Sequence, residues 1–135
     1  MSAYAAVLLY MLWMVLLVLV YAGPRIPQAL MGIKAIDSWE RNKTPSDPMF
    51  FQRAKGAHLN CIENLPLFIG VVAIAGLMNR IEVANGVAAY VLYARVAQGL
   101  VHMLGTSFML IMARATFFLI QMALIAYIAV MLLLA

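Results

Sequence analysis

Between Arg53 and Phe68 the sequence reads Arg-Ala-Lys-Gly-Ala-His-Leu-Asn-Cys-Ile-Glu-Asn-Leu-Pro-Leu-Phe, so charged and amide side chains run straight into an apolar stretch. At about 100° per residue, the step of an α-helix, Arg53, Gly56, Asn60, Glu63, Asn64 and Leu67 fall on one face and His58 points away from it. A second polar stripe, Arg95, Gln98, His102 and Thr106, recurs at spacings of three and four. Farther on, Arg114, Phe118 and Gln121 share a face of a third helix. Charged groups at membrane depth are costly and mark functional positions by default. Three arginines drawn toward one end of a helical bundle call for an anion. Glu63 can neutralise one of them inside the protein, and the competing reading is an ion-pair network that only holds helices together.

Those stripes must sit on membrane-spanning helices. The chain has 135 residues, of which 67% are hydrophobic and 10% charged, too little polar surface to clothe a soluble domain. Residues 1–24, 64–79, 96–113 and 115–135 carry no Asp, Glu, Lys or Arg, and each run is long enough to span or extends to that length through a polar flank. An all-α integral membrane four-helix bundle follows, a single domain over residues 1–135 with spans at about 3–22, 48–79, 83–104 and 108–134. The fourth span begins somewhere between Thr106 and Arg114, with Gly105-Thr106-Ser107 as the expected turn.

A signal peptide is the competing reading of the first 22 residues, but they lack a basic n-region and exceed a usual h-region. The formal charge of +4 is topological, since the basic residues form no aromatic-interleaved patch and no nucleic-acid partner is expected. Arg25, Lys34, Arg41, Lys43, Arg53 and Lys55 crowd into residues 23–57. The positive-inside rule therefore expects the loop 23–47 in the cytoplasm and both termini outside, in the cell inner membrane if the source is bacterial. Cys61 is the only cysteine, so no intrachain disulfide forms.

Taken in order, the first span is apolar all round, and Gly23-Pro24 and Pro27 interrupt it. Arg25 at that end either snorkels to headgroups or reaches an anionic ligand. Thr44-Pro45-Ser46-Asp47-Pro48 reads as a turn into a helix start, with Asp47 able to cap and Pro48 suited to the first helical position. Pro66 should bend the second span or loosen one turn.

The pattern Arg53-x-x-x-Ala57-His58-x-Asn60-x-x-Glu63-Asn64-x-x-x-Phe68 resembles the second-helix signature of the MAPEG family, membrane-associated proteins in eicosanoid and glutathione metabolism. Ser46-Asp47-Pro48 and Ala94-Arg95-Val96-Ala97 resemble segments of its prostaglandin E synthase branch. The resemblance covers the whole chain. It implies a homotrimer of four-helix subunits embedded in the lipid bilayer, with glutathione as co-substrate, bound at subunit interfaces on the cytoplasmic side, and no metal. Arg53, Asn60 and Glu63 inherit ligand contacts, with Glu63 accepting from the ammonium group. Arg114 is the nearest match to the arginine that stabilises the thiolate, and Arg25, Arg95 and His102 complete the implied glutathione-binding set. Gly56 departs from the family, which commonly has a second arginine there. Gln98 and His102 stand where relatives more often show His or Tyr, and Ala115 stands where one branch has serine.

The implied activity is a glutathione-dependent transferase or peroxidase acting on a hydrophobic electrophile that arrives from the lipid. The alternative is a non-catalytic scaffold or regulator of the same fold, favoured by Gly56 and His102. A proton-coupled exporter is disfavoured because residues 1–24 contain no carboxylate.

Overall fold

The computed structural model describes residues 1–40 and 47–135. Arg41, Lys43 and the Thr44 to Ser46 part of the expected turn lie outside the described residues. The elements are α1 (Ala3–Ala22), α2 (Arg25–Leu30), α3 (Met49–Leu77), α4 (Ile81–Asn85), α5 (Ala88–Leu104) and α6 (Phe108–Leu133). Among the described residues there is no strand, and four helical segments are long and apolar enough to cross a membrane: Ala3–Leu30, Met49–Leu77, Ile81–Leu104 and Phe108–Leu133. The protein is a multi-pass membrane protein.

In apolar surroundings helices gain little from hydrophobicity itself and associate through close packing and interhelical hydrogen bonds. The buried positions of α3 follow that logic. Ala54, Ala57, Cys61, Asn64, Phe68, Val72 and Ala75 recur at three and four residues and form a seam that is mostly small. Against it α1 sets Ala3, Ala6, Val7, Tyr10 and Leu17. Tyr10 lies 6.0 Å from Phe68, ring to ring, and its hydroxyl donates to the Cys61 carbonyl at 3.3 Å. Two helices form the centre: α5 touches α1, α3, α4 and α6, and α3 touches α1, α4, α5 and α6. Its Gln98 accepts a buried 2.8 Å hydrogen bond from Gln121 of α6.

The helix ends are satisfied locally. Ser2 accepts from the Ala5 N–H and Ser107 from the Leu110 N–H, two N-caps. At the end of α3, Asn79 turns left-handed at φ 55°, its N–H bonds to Gly76 O and the Arg80 N–H to Ala75 O. That is a Schellman closure, with asparagine in the position glycine usually takes.

Three local features differ from the sequence expectation. The segment after α1 is not all loop, because α2 forms there directly after Gly23-Pro24. Pro48 is the N-cap residue of α3 with no side-chain cap bond; the Asp47 carboxylate is drawn off by Lys34 and Trp39, which bind it at 3.1 and 3.0 Å. The third span is divided, with α4 and α5 separated at Gly86 and Val87. There the Asn85 side chain accepts from the Ala3 N–H at 2.8 Å and ties the start of α1 to the end of α4. Pro66 is accommodated within a continuous α3.

Packing of α1 on α5 depends on Gly99, where an added Cβ would come 2.9 Å from the Trp13 ring. Gly99→Ala is expected to lower unfolding stability in detergent by about 1–3 kcal/mol through overpacking against a rigid indole. Gly70→Ala, at a position with nothing within 4 Å of the new methyl, should be neutral or slightly stabilising. Thermal unfolding of the two variants side by side checks this, and equal melting temperatures would contradict it.

Candidate functional site

Residues 53, 56 and 60 lie along one side of α3, a spacing that stacks them over two turns. His102, near the end of α5, meets this side. A Cβ built on Gly56 would come 2.9 Å from His102 Cε1 and 3.1 Å from Nε2, so the imidazole occupies the ground that a side chain at position 56 would take. The Asn60 side-chain nitrogen is 3.5 Å from His102 Nδ1. Both Arg53 of α3 and Arg114 of α6 are within electrostatic reach of the same ring. Arg53, Asn60, His102 and Arg114 are all half-buried, and Arg53 Nε is buried without a hydrogen-bond partner. The fold thus gathers two guanidiniums, an amide and an imidazole from three helices at one end of the bundle.

The remaining site residues expected from the sequence are placed differently. Glu63, one turn beyond Asn60, is exposed on the single chain. Arg95 is buried at 1% exposure, with its guanidinium carbon 5.8 Å from the centre of the Tyr10 ring. Its Nε and Nη2 find no partner. It belongs to the packing between α1 and α5 and is not on the surface shared by Arg53, Asn60, His102 and Arg114, because α5 is enclosed on several sides. His58 turns toward α1, its ring 5.7 Å from Tyr21.

Arg25 takes part in a second cluster beside the first. Its guanidinium lies 5.2 Å from the Tyr21 ring centre and 5.4 Å from Trp39, and it faces the Asp47 carboxylate at 3.9 Å. A cleft of about 240 Å³ opens here, lined by Arg25, Trp39, Asp47, Gln52, Lys55 and Gly56 among others. Gly56 therefore borders the cleft on one side and His102 on the other. Helical phase alone turns Lys55 away from the Arg53 and Asn60 face, yet the segment before α3 folds over that flank and makes Lys55 a wall of the cleft. Trp39 and Asp47 also carry no chemical signal in the sequence beyond the turn before α3. Their importance emerges only when Lys34, Trp39 and Arg25 converge on one carboxylate.

A chain with this span plan and this polar face can be compared with known families. The profile of the MAPEG family matches residues 2–134. The chain belongs to the MAPEG family. That family includes glutathione transferases and related members. Comparison with curated proteins and with solved structures gives no match. The family match spans all the elements that supply both clusters, from Arg25 at the start of α2 to Arg114 in α6.

Burial alone would push the Asp47 carboxyl up, but the hydrogen bonds from Trp39 and Lys34 and the charges of Lys34 and Arg25 outweigh it and hold the carboxyl below its usual value. A carboxyl lowered in the folded state stabilises the fold above its ordinary pKa of about 3.9, and that contribution is lost as the pH falls through the folded value. Asp47→Asn is therefore expected to cost about 1.5 kcal/mol at pH 7. The difference from the native chain should shrink as the pH falls below the ordinary carboxyl value and through the lowered folded one. Paired melting curves across pH test the sign, and a gap that widens in acid would refute it.

Proposed function

We propose that the protein is a glutathione-dependent transferase or peroxidase that acts on hydrophobic, membrane-borne electrophiles. The observation that carries this reading is the convergence of Arg53, Asn60, His102 and Arg114 on one half-buried face, in a chain of a family that includes glutathione transferases. Glutathione offers two carboxylates, one ammonium group and one thiol. Guanidiniums suit the carboxylates, since their planar forks bind them bidentately. Glu63 suits the ammonium group. Because Glu63 is exposed on a span of the single chain, it needs a polar companion from outside the chain, which fits a homotrimer with the ligand between subunits. The basic stretch 23–57 supports a cytoplasmic location for this end of the bundle by the positive-inside rule, where Arg25 and the neighbouring cleft would face the incoming tripeptide.

Arg114 is assigned to the thiolate. A thiol attacks only as its thiolate, and lowering its pKa by two units from about 8.5 requires roughly 2.7 kcal/mol of preferential stabilisation. One guanidinium a few ångströms away in partly desolvated surroundings supplies energy of that order. The sulfur then has two outlets. Attack on an electrophilic carbon forms a carbon–sulfur bond and expels a leaving group or protonates an adduct. Attack on a lipid hydroperoxide breaks the oxygen–oxygen bond, reducing the peroxide to an alcohol while a second glutathione completes the disulfide. The hydrophobic partner enters from the bilayer, so no aqueous channel is required for it.

A second reading, a scaffold that binds glutathione without turnover, is favoured by Gly56, which leaves one position of the ligand face without a side chain. Two measurements separate the readings. Saturating the purified protein with glutathione should produce the ultraviolet difference spectrum of a thiolate, and turnover should appear against a panel of hydrophobic electrophiles. Arg114→Ala should abolish the thiolate signal and lower turnover at least about 100-fold, the loss of roughly 2.7 kcal/mol, while sparing most of the binding. Binding with a flat difference spectrum would favour the scaffold, and full activity in the variant would move the thiolate role away from Arg114.

A further inference from the structure

With 20 residues, α1 rises about 30 Å, the thickness of the hydrocarbon core. The chain therefore leaves the core where α1 ends, and α2 with the segment after it lies at headgroup level. Yet the outer side of that segment is apolar. Ile26, Leu30, Met31, Ile33 and Ile36 are all 65% or more exposed, and apolar side chains at this depth sink into the boundary between headgroups and acyl chains. The segment thus lies along the membrane surface, and the cleft behind it opens at the depth of the lipid headgroups.

That cleft holds open charges of both signs. Asp47 is committed to Lys34 at 3.1 Å and Trp39 at 3.0 Å. Arg25 stands 3.9 Å from the same carboxylate, and its Nε is buried with no partner. Lys55 and Glu40, both on the cleft wall, make no salt bridge among the described residues. Two cations and one carboxylate are left for a ligand. The volume of about 240 Å³ is below the roughly 300–1,000 Å³ of sites that enclose drug-sized molecules. It suits a headgroup, with acyl chains left outside beside Phe51 and Leu59, the apolar part of the lining. Trp39 is not open to a quaternary ammonium, since Arg25 and Lys34 already lie 5.4 and 5.9 Å from its ring centre. A primary ammonium, with its three N–H donors, suits Glu40 instead.

We propose that the cleft binds the headgroup of a phosphatidylethanolamine-type lipid, with the phosphate between Arg25 and Lys55 and the primary ammonium at Glu40. The guanidinium fork meets two phosphate oxygens, and Lys55 adds a point charge. The lipid acts as mortar between the surface-lying segment and α3, which otherwise meet through the single carboxylate of Asp47. This inference does not rest on the glutathione reading. The cleft lies across Gly56 from His102 and Asn60, so lipid and tripeptide occupy different ground.

The experiment is native mass spectrometry of the full-length protein in detergent, titrated in turn with short-chain phosphatidylethanolamine, phosphatidylcholine and phosphatidylglycerol, with a melting temperature recorded for each variant. Phosphatidylethanolamine should bind about tenfold more tightly than the other two, the worth of one hydrogen bond between charged groups. Glu40→Gln should remove that preference without changing the melting temperature. Lys55→Gln should weaken all three lipids about tenfold. Arg25→Gln should do the same; because Arg25 also faces Asp47, Lys55→Gln carries the test if that variant melts early. Water-soluble phosphorylethanolamine should bind at least about tenfold more weakly than the lipid, since it leaves the apolar collar unused. Equal binding of the three lipids overturns the proposal, as does native selectivity in Glu40→Gln or native affinity in Lys55→Gln. Equal affinity for phosphorylethanolamine would make the ligand a soluble one. Saturating glutathione should leave the lipid bound; displacement would return the cleft to the tripeptide and overturn the lipid assignment alone, whereas a protein that holds the lipid but binds no glutathione overturns the glutathione reading alone.

Discussion

The small-residue seam of α3 is the constraint on which the rest depends. Ala54, Ala57, Cys61 and Ala75 let neighbouring helices come close, and in a bilayer, where lipid is as apolar as leucine, close contact is what holds helices together. The seam and the polar face lie on the same helix at different angles. Whatever sets the seam against α1 and α5 thereby also sets the direction in which Arg53, Asn60 and Glu63 point. Helix packing and polar face share one helix phase, so neither can be changed freely without the other.

Polar side chains deep in the bundle follow a similar economy. Gln98 and Gln121 satisfy each other between α5 and α6, and Tyr10 reaches the Cys61 carbonyl between α1 and α3. Arg95 is different in kind, a charge enclosed beside an aromatic ring with two nitrogens left without partners. Arg53 and Arg114 are half-buried and accessible to an anion; Arg95 is sealed from one. Position relative to the bundle axis separates the two classes of arginine, and residue type does not.

Much of this was legible in the residues. Charge-free runs of spanning length expose the four-span plan because the bilayer demands about 20 apolar residues per helix. The polar face of α3 is legible because a 3.6-residue period fixes which side chains stack. What stays hidden is pairing between helices. Nothing in the sequence brings His102 to Gly56 or encloses Arg95, because both depend on which helix ends up at the centre. A helix packed on several neighbours buries some positions of a stripe and leaves others open, so the helical wheel that correctly groups Arg95 with His102 cannot tell core from surface. The cluster around Asp47 is hidden for another reason. Its members come from the start of α2 and from the polar segment beyond it, which has no period, and only the folded path brings Lys34, Trp39 and Arg25 to one carboxylate.

The hydrogen bond between Gln121 and Gln98 has a consequence for α6. An otherwise apolar helix in lipid has little to oppose rotation about its own axis, since one greasy face is worth much the same as another. Gln121 removes that freedom. Arg114 stands seven residues earlier, two turns away on nearly the same meridian. A single buried amide contact therefore works as a compass bearing for the helix, and through it the direction of a guanidinium about 10 Å away is set relative to its neighbours.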